Sequence, residues 1–229
     1  MNLWLLTIAD GKTKQLTRGG GGDYQPNWSP DASSLVFFSG RAGAMDIWRY
    51  DFDDASLSRL TRGEGININP FFSPDGKRIA FQSDRDGRLE VFVMNRDGRE
   101  VRQLTNVGVS GHFLRWSADG QHVVFRCPAA KATMRVPLTG GEPEPLPEVI
   151  GGAHMSFSPD HSLIMDVLGH RTLWVSPMNQ GGKGGEPRKV FEFDDPDVRI
   201  DYPLWSPDGA AILFDRFQPH GGDVWATEE

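Results

Sequence analysis

The amino-acid sequence predicts an all-β chain, a β-propeller of four-stranded antiparallel blades, and three observations carry that expectation. One phrase recurs five times, as Asn27-Trp28-Ser29-Pro30-Asp31, Phe71-Phe72-Ser73-Pro74-Asp75, Arg115-Trp116-Ser117-Ala118-Asp119, Ser156-Phe157-Ser158-Pro159-Asp160 and Leu204-Trp205-Ser206-Pro207-Asp208. Its aromatic anchors, Trp28, Phe72, Trp116, Phe157 and Trp205, stand 44, 44, 41 and 48 residues apart, and a period of roughly 40–50 residues is that of a propeller blade rather than of a helical or leucine-rich repeat. Behind each anchor a turn leads into an apolar run, whereas no segment shows the i, i+3, i+4 stripe of an amphipathic helix.

The runs after the anchors are Leu35-Val36-Phe37-Phe38, Ile79-Ala80-Phe81, Val123-Val124-Phe125, Leu163-Ile164-Met165 and Ile212-Leu213-Phe214. Runs apolar on both faces suit strands buried between neighbouring sheets. A third strand follows in each unit at 46–50, 90–94, 133–136, 172–175 and 223–226, with apolar and polar positions mixed. The fourth, at 57–61, 101–105 and 143–146, is short and carries charge or Pro, which protects an exposed sheet edge from pairing with other chains. Trp28, Trp116 and Trp205 are expected between blades, and Trp48, Trp174 and Trp225 share one third-strand position.

The turns follow the same logic. In Ser73-Pro74-Asp75-Gly76, Pro pre-sets one backbone angle, Asp bonds nearby backbone, and Gly supplies a positive φ. Ala32 and His161 stand where Gly would be, so the first and fourth turns are expected to be strained or built differently. Gly19 to Gly22 and Gly181 to Gly185 are flexible connectors, lacking the strand and helix that frame a phosphate loop.

Composition narrows the functional classes. The chain has 229 residues, 38% apolar content and one cysteine, Cys127, which suits a globular core and excludes a disulfide scaffold. Lys and Arg number 24 against 31 Asp and Glu, a net charge of −7, the wrong sign for binding a phosphate backbone, so nucleic acid is not expected as a partner. No apolar run approaches the roughly 18 residues of a membrane span, so membrane insertion is not expected. Met1 to Leu6 lacks the basic start and full apolar stretch of a signal peptide and is read as a strand.

These repeats resemble the WD-like β-propeller repeat of the TolB type, which runs aromatic-Ser-Pro-Asp-Gly, strand, Ser-Asp-Arg-Asp-Gly, strand, Leu-Thr. The closest unit here holds Phe72-Ser73-Pro74-Asp75-Gly76-Lys77, Ser83-Asp84-Arg85-Asp86-Gly87, Val93-Met94-Asn95 and Gln103-Leu104-Thr105. The resemblance implies a single propeller domain over 1–229, with repeat units at about 1–17 (partial), 18–61, 62–105, 106–146, 147–190 and 191–229 (partial). Five repeats are recognisable, which fits a five-bladed ring or part of a six-bladed or larger one. Leu3 to Leu6 and Lys12 to Thr17 read as the third and fourth strands of an incomplete blade. The same repeat resembles that of periplasmic TolB, of protease-associated propellers and of sensory domains, so the resemblance implies the periplasm, while the lack of a signal peptide is equally compatible with the cytoplasm.

Propellers bind ligands at the central channel, on loops that join the fourth strand of one blade to the first of the next. Tyr24, Gln25, Asn69, His112, His154, Asp201 and Tyr202 lie three or four residues before the anchors and are the candidate ligand-binding residues at the channel mouth. His112, His154 and Asp201 would be the donors if a divalent metal ion occupied the channel, since neutral imidazole and carboxylate suit such ions. No metal-binding spacing is present, none of the acidic clusters fits a 12-residue calcium loop, and no GxSxG nucleophile elbow exists. Catalytic residues are therefore expected to be none and a cofactor is not required. The reading is a non-catalytic scaffold that binds a protein or peptide at the channel mouth; the alternatives are a metal- or small-ligand-dependent lyase or hydrolase, and a detached sensory or gating domain. Trp4, in the incomplete blade, is the expected interface residue for a partner or an identical chain.

Overall fold

The computed structural model describes residues 3–6, 13–110, 113–146, 154–160, 162–178, 185–192, 194–197, 199–205, 211–218 and 221–228. All regular secondary structure among them is β. Strands β1 (Trp4–Leu6) and β2 (Thr13–Gln15) form a two-stranded sheet. Four antiparallel four-stranded sheets follow in chain order: β3 (Asp23–Trp28), β4 (Ser34–Ser39), β5 (Asp46–Asp51) and β6 (Leu57–Arg59); β7 (Asn67–Phe72), β8 (Arg78–Ser83), β9 (Glu90–Asn95) and β10 (Arg102–Gln103); β11 (Leu114–Trp116), β12 (His122–Cys127), β13 (Ala132–Pro137) and β14 (Glu144–Pro145); β15 (His154–Phe157), β16 (Leu163–Leu168), β17 (Thr172–Pro177) and β18 (Arg188–Glu192). The fifth repeat forms a three-stranded sheet of β19 (Arg199–Trp205), β20 (Ala211–Gln218) and β21 (Gly221–Glu228). Four complete blades thus stand among the described residues where five repeats were read, because the fifth repeat shows no fourth strand there.

The chain divides into two compact units, Met1–Ala130 with Arg135–Pro143, and Lys131–Met134 with Glu144–Glu229. In the first unit, sheets stack face to face through the apolar runs. Leu3 packs on Leu35, Phe37 and Tyr50, and Val36 and Ile47 of the first blade meet Phe72, Ile79, Phe81, Phe92 and Met94 of the second. A blade with two apolar faces cannot bury both alone, so each neighbour completes the core of the last. In the second unit Met165, Val167, Leu173 and Val175 form the cluster against which Trp205 packs. Asp166 occupies the second-strand position of the core phenylalanines Phe37 and Phe81: it faces Trp174 across the ladder as they face Trp48 and Phe92, and it is equally buried.

The repeated turn is one hydrogen-bonded device. In the second blade the Ser73 hydroxyl donates to Asp75 at 2.6 Å, Asp75 accepts from the Lys77 amide at 3.0 Å, and the Arg78 amide donates to Ser73 Oγ at 3.0 Å. The same set recurs around Ser29 and Asp31, Ser117 and Asp119, and Ser158 and Asp160. Ala32 keeps this geometry with φ at 55°, where Gly76 and Gly120 have 68° and 66°, so the first turn is the common one held under strain. His161, in the fourth turn, lies outside the described residues. The glycines also serve packing, since a Cβ on Gly76 would sit 3.5 Å from Pro30 of the preceding turn, and one on Gly120 would sit 3.5 Å from Pro74.

Trp116 is buried, as expected of an anchor, and its indole N–H donates to the Phe71 carbonyl of the preceding blade at 3.0 Å. Trp28 differs, being 46% exposed and stacked on Phe52 with ring centroids 5.0 Å apart. Among the described residues no hydrogen bond of the Trp28 indole corresponds to that of Trp116 with β7.

The turn aspartates make the acid limb of stability predictable. Hydrogen bonds from the turn serines hold Asp31, Asp75, Asp119 and Asp160 below the usual carboxylate range, Asp160 at about 2. A carboxyl depressed in the folded state contributes stability that is complete above its unfolded pKa of about 3.9 and is lost as pH falls through the folded value. The melting temperature is expected to stay level from neutral pH down to about 5 and to fall below about 4. Combining Asp75→Asn, Asp119→Asn and Asp160→Asn should flatten that fall, and an acid limb of unchanged slope in thermal melts would contradict the assignment.

Candidate functional site

The first strands of the first three blades, β3, β7 and β11, lie side by side in the first unit; Tyr24, Gln25 and Asn69 fall on β3 and β7, and His154, Asp201 and Tyr202 on β15 and β19 of the second unit. In β3 and β7 the ladder slips between Tyr24 and Asn27 and between Ile68 and Phe71, and β19 slips between Asp201 and Leu204. Each slip spans an X-Pro pair, Gln25-Pro26, Asn69-Pro70 or Tyr202-Pro203. Proline has no N–H to give the ladder, so the strand accommodates it in a bulge. The residues before the first two prolines take left-handed backbone, φ 48° at Gln25 and 53° at Asn69. In β15, where Met155 replaces the proline, pairing runs unbroken from His154 to Phe157.

The bulge sets what the site residues do. Asn69 is buried, and its amide donates to Gln82 Oε1 at 2.6 Å; Gln82 in turn donates to the Ser110 carbonyl at 2.7 Å and the Phe113 carbonyl at 3.3 Å. This relay ties the second blade to the segment leading into the third. Tyr24 is half-buried and stacks on Phe38 at 5.2 Å. Gln25 is half-buried, and its Oε1 is sheltered from solvent with no donor in reach among the described residues. His112 lies outside the described residues. His154, Asp201 and Tyr202 are placed by backbone alone, in β15 and β19, and so is Trp4, which pairs with Gln15 in β1. Among the described residues no three His, Cys, Asp or Glu side chains stand close enough to share a metal ion.

Two polar devices absent from the sequence-predicted set organise the ends of the blades. In the first, a buried carboxylate at the head of a third strand meets a threonine after the fourth. Thr61 donates to Asp46 at 2.7 Å and accepts from the Ile47 amide at 2.9 Å; Thr105 donates to Glu90 at 2.7 Å and accepts from the Val91 amide at 2.9 Å. Asp46 also takes the Gly63 amide and the Arg59 guanidinium, and Glu90 takes the Val107 and Gly108 amides and Arg88. At the chain start Thr17 accepts from the Leu3 amide at 2.8 Å and donates to Asp23 at 2.5 Å. The third blade has neither half: Ala132 stands at the carboxylate position and Pro147 at the threonine's.

In the second device an arginine from the turn between second and third strands folds back over its own blade. Arg41 lies 5.6 Å and 5.3 Å from the ring centroids of Phe37 and Trp48 and bonds Asp23 at 2.6 Å. Arg85 lies 5.5 Å and 4.9 Å from those of Phe81 and Phe92 and bonds Asn67 at 3.0 Å and Glu64 at 2.9 Å. Burial raises the Asp23 carboxyl, but hydrogen bonds from Arg41, Thr17 and Ser39 outweigh it and leave it lowered. The loops before β3 and β7 close against these turns, so that a Cβ on Gly65 would come within 2.5 Å of Asp84 Oδ1 and 2.8 Å of the Arg85 nitrogen. Ile66, beside Gly65, is 47% exposed. A cavity of about 530 Å³ lies along the fourth strand of the second blade, lined by Asp86, 103–107 and 141–143, and none of the sequence-predicted residues borders it.

The lock is testable. Thr105→Val keeps the shape but leaves Glu90 Oε2 and the Val91 amide short of a partner. Urea unfolding is expected to show a loss of about 1–3 kcal/mol, with Thr105→Ser recovering most of it; equal losses for the two variants would contradict the hydrogen-bonded role.

Residues 3–172 match the family model of the TolB β-propeller domain. No curated protein matches the chain in sequence. Among solved structures it is similar to TolB from Acinetobacter baumannii, at 20% identity and a TM-score of 0.80 over 99% of this chain and 57% of that one. It is also similar to an oligogalacturonate lyase in complex with manganese (17%, 0.65, 100% of this chain and 72% of that one) and to a gluconolactonase from Xanthomonas campestris (16%, 0.66, 100% and 84%). Likeness at these identities carries the fold alone, and the chain spans 57% of the length of the Acinetobacter protein.

Proposed function

The chain belongs to the TolB β-propeller domain family, and from that premise we propose that it is a non-catalytic docking module that binds a protein or peptide over the loop ends of its blades, at the mouth of a channel lined by the first strands. One observation carries the reading: the buried carboxylates at the blade ends, and the arginines paired with them, are committed to holding strands. Asp23, Asp46 and Glu90 are buried and saturated with hydrogen bonds. Hydrogen bonds hold the carboxyls of Asp23, Asp31, Asp54, Asp75, Asp119, Asp160 and Glu192 below the ordinary carboxylate value. A general base or acid near neutral pH needs a carboxyl shifted the other way.

What these loop ends offer instead is surface. The exposed Ile66 between Glu64 and Asn67, with Arg62 beside it, presents an apolar contact in a polar rim, the composition of a docking patch. Tyr24 and Gln25 extend the surface toward the first strands, and His112, His154, Asp201 and Tyr202 are the ligand-binding candidates of their own repeats. The reading needs no cofactor.

The test is a random peptide library displayed on phage and selected on the purified chain, with native mass spectrometry before and after chelator. A recurring peptide motif whose binding is lost in Ile66→Asp and kept in Val101→Asp, an exposed position on the side of the blade, is the expected result. Turnover of oligogalacturonate or gluconolactone by the chain, or a stoichiometric metal ion removed by chelator, would overturn the docking reading.

A further inference from the structure

Arg115 is the charged side chain on the first strands whose ion pair is missing among the described residues. It sits in β11, immediately before the anchor Trp116. At the same place in the other repeats stand Asn27, Phe71, Ser156 and Leu204, so the cation is peculiar to the third blade. Its guanidinium carbon lies 4.0 Å from the centroid of Phe71 on the neighbouring β7 and 5.6 Å from that of Phe113. Stacking on an aromatic face attracts the cation and fixes the plane in which its N–H groups point. One of those groups donates to the Leu114 carbonyl of its own strand at 2.7 Å. No carboxylate among the described residues lies within ion-pair distance, whereas Arg41, Arg59, Arg85, Arg88 and Arg96 each have one.

A half-buried guanidinium with most of its five donors free of protein partners must be completed by water or by an anion. Burial pushes Arg115 down to about 9, which leaves it charged at neutral pH. A chain of net charge −7 does not collect anions by its overall field, so the selectivity would be local. The planar fork matches a carboxylate in two parallel hydrogen bonds better than a spherical ion.

We propose that Arg115, held flat on Phe71, is a carboxylate-binding residue of the first-strand surface and makes the ligand of this propeller an acid. The carboxylate is supplied by an acidic peptide side chain or by a sugar acid; the first source rests on the docking reading above, and the second does not. Phe71 is the platform, and the Leu114 carbonyl anchors one edge of the fork so that the other faces the ligand.

The experiment is calorimetric titration of the full chain with two probes, tri-aspartate capped at both ends and trigalacturonate, against Arg115→Gln, Arg115→Lys and wild type, with melting curves on all three. Wild type is expected to bind at least one probe, Arg115→Gln to lose at least tenfold, and Arg115→Lys to fall between, since an ammonium keeps the charge without the fork. Should Arg115→Gln melt early, the intermediate affinity of Arg115→Lys carries the test. Failure of both probes on wild type, or equal affinity in wild type and both variants, overturns the inference. The two readings fail separately. A library-selected peptide that binds wild type and Arg115→Gln alike, with both acids silent, keeps the docking role and removes the carboxylate site. Trigalacturonate bound through Arg115 with no peptide bound does the reverse.

Discussion

A carboxylate taken out of water at the head of a third strand must be matched by several donors or it destabilises the fold. Asp46 and Glu90 meet that demand with donors drawn from three places: the threonine after the fourth strand, the amides of the loop that follows, and an arginine. One side chain therefore decides where the fourth strand ends and how the chain leaves for the next blade. The Asn67 amide reaches Asp46 as well, at 3.3 Å, and its backbone N–H donates to the Met45 carbonyl at 2.8 Å, so the next first strand is set by the same group. The third blade supports the pairing by lacking both halves, with Ala132 and Pro147 in their places; one half alone would leave a buried polar group unmatched.

The same economy governs function. Polar residues that gather near a propeller's loop ends invite a catalytic or metal-binding reading, yet Asp23, Asp46 and Glu90 are occupied by threonine, amide and arginine donors. Arg41 and Arg85, the most conspicuous cations of the repeated turns, are folded over Phe37 and Phe81. Arg115 is set apart by contrast with them: it has the aromatic platform without the carboxylate. Among the described residues Gln25, with its strained backbone and sheltered acceptor, is another group on this surface whose partners are incomplete. Incomplete partners on an otherwise saturated surface are where a ligand has something to add.

Much of the fold was legible because it is periodic. Among the described residues the anchor-Ser-Pro-Asp phrase, the apolar runs and the short charged fourth strands fall on strands or turns, with Ser206 to Asp208 of the fifth copy outside them, and all regular secondary structure there is β, as expected. The strain expected at Ala32 is present because the turn's hydrogen bonds hold its backbone where glycine belongs. The exposure of Trp28 is not legible from the repeat, which places this anchor between blades as it does the buried Trp116. The Thr–carboxylate lock joins positions 15 apart in two blades, a recurrence that could have been found by scanning the repeats for acid and Leu-Thr together. The arginine folds and the Asn69–Gln82 relay left no such trace, because where a long side chain bends depends on packing that spacing does not encode. Asn69 looked like a ligand from its position before the anchor, and its burial against Gln82 follows from the bulge that Pro70 imposes.

The claim that buried carboxylates and threonines organise the blades is tested most directly by a double-mutant cycle on Glu90 and Thr105. Unfolding free energies of wild type, Glu90→Gln, Thr105→Val and the double variant would be measured in urea. The account predicts a coupling energy of about 1–3 kcal/mol, with the double variant less destabilised than the sum of the two single changes. Strict additivity would contradict it, leaving the two residues as independent neighbours and the carboxylate without its organising role.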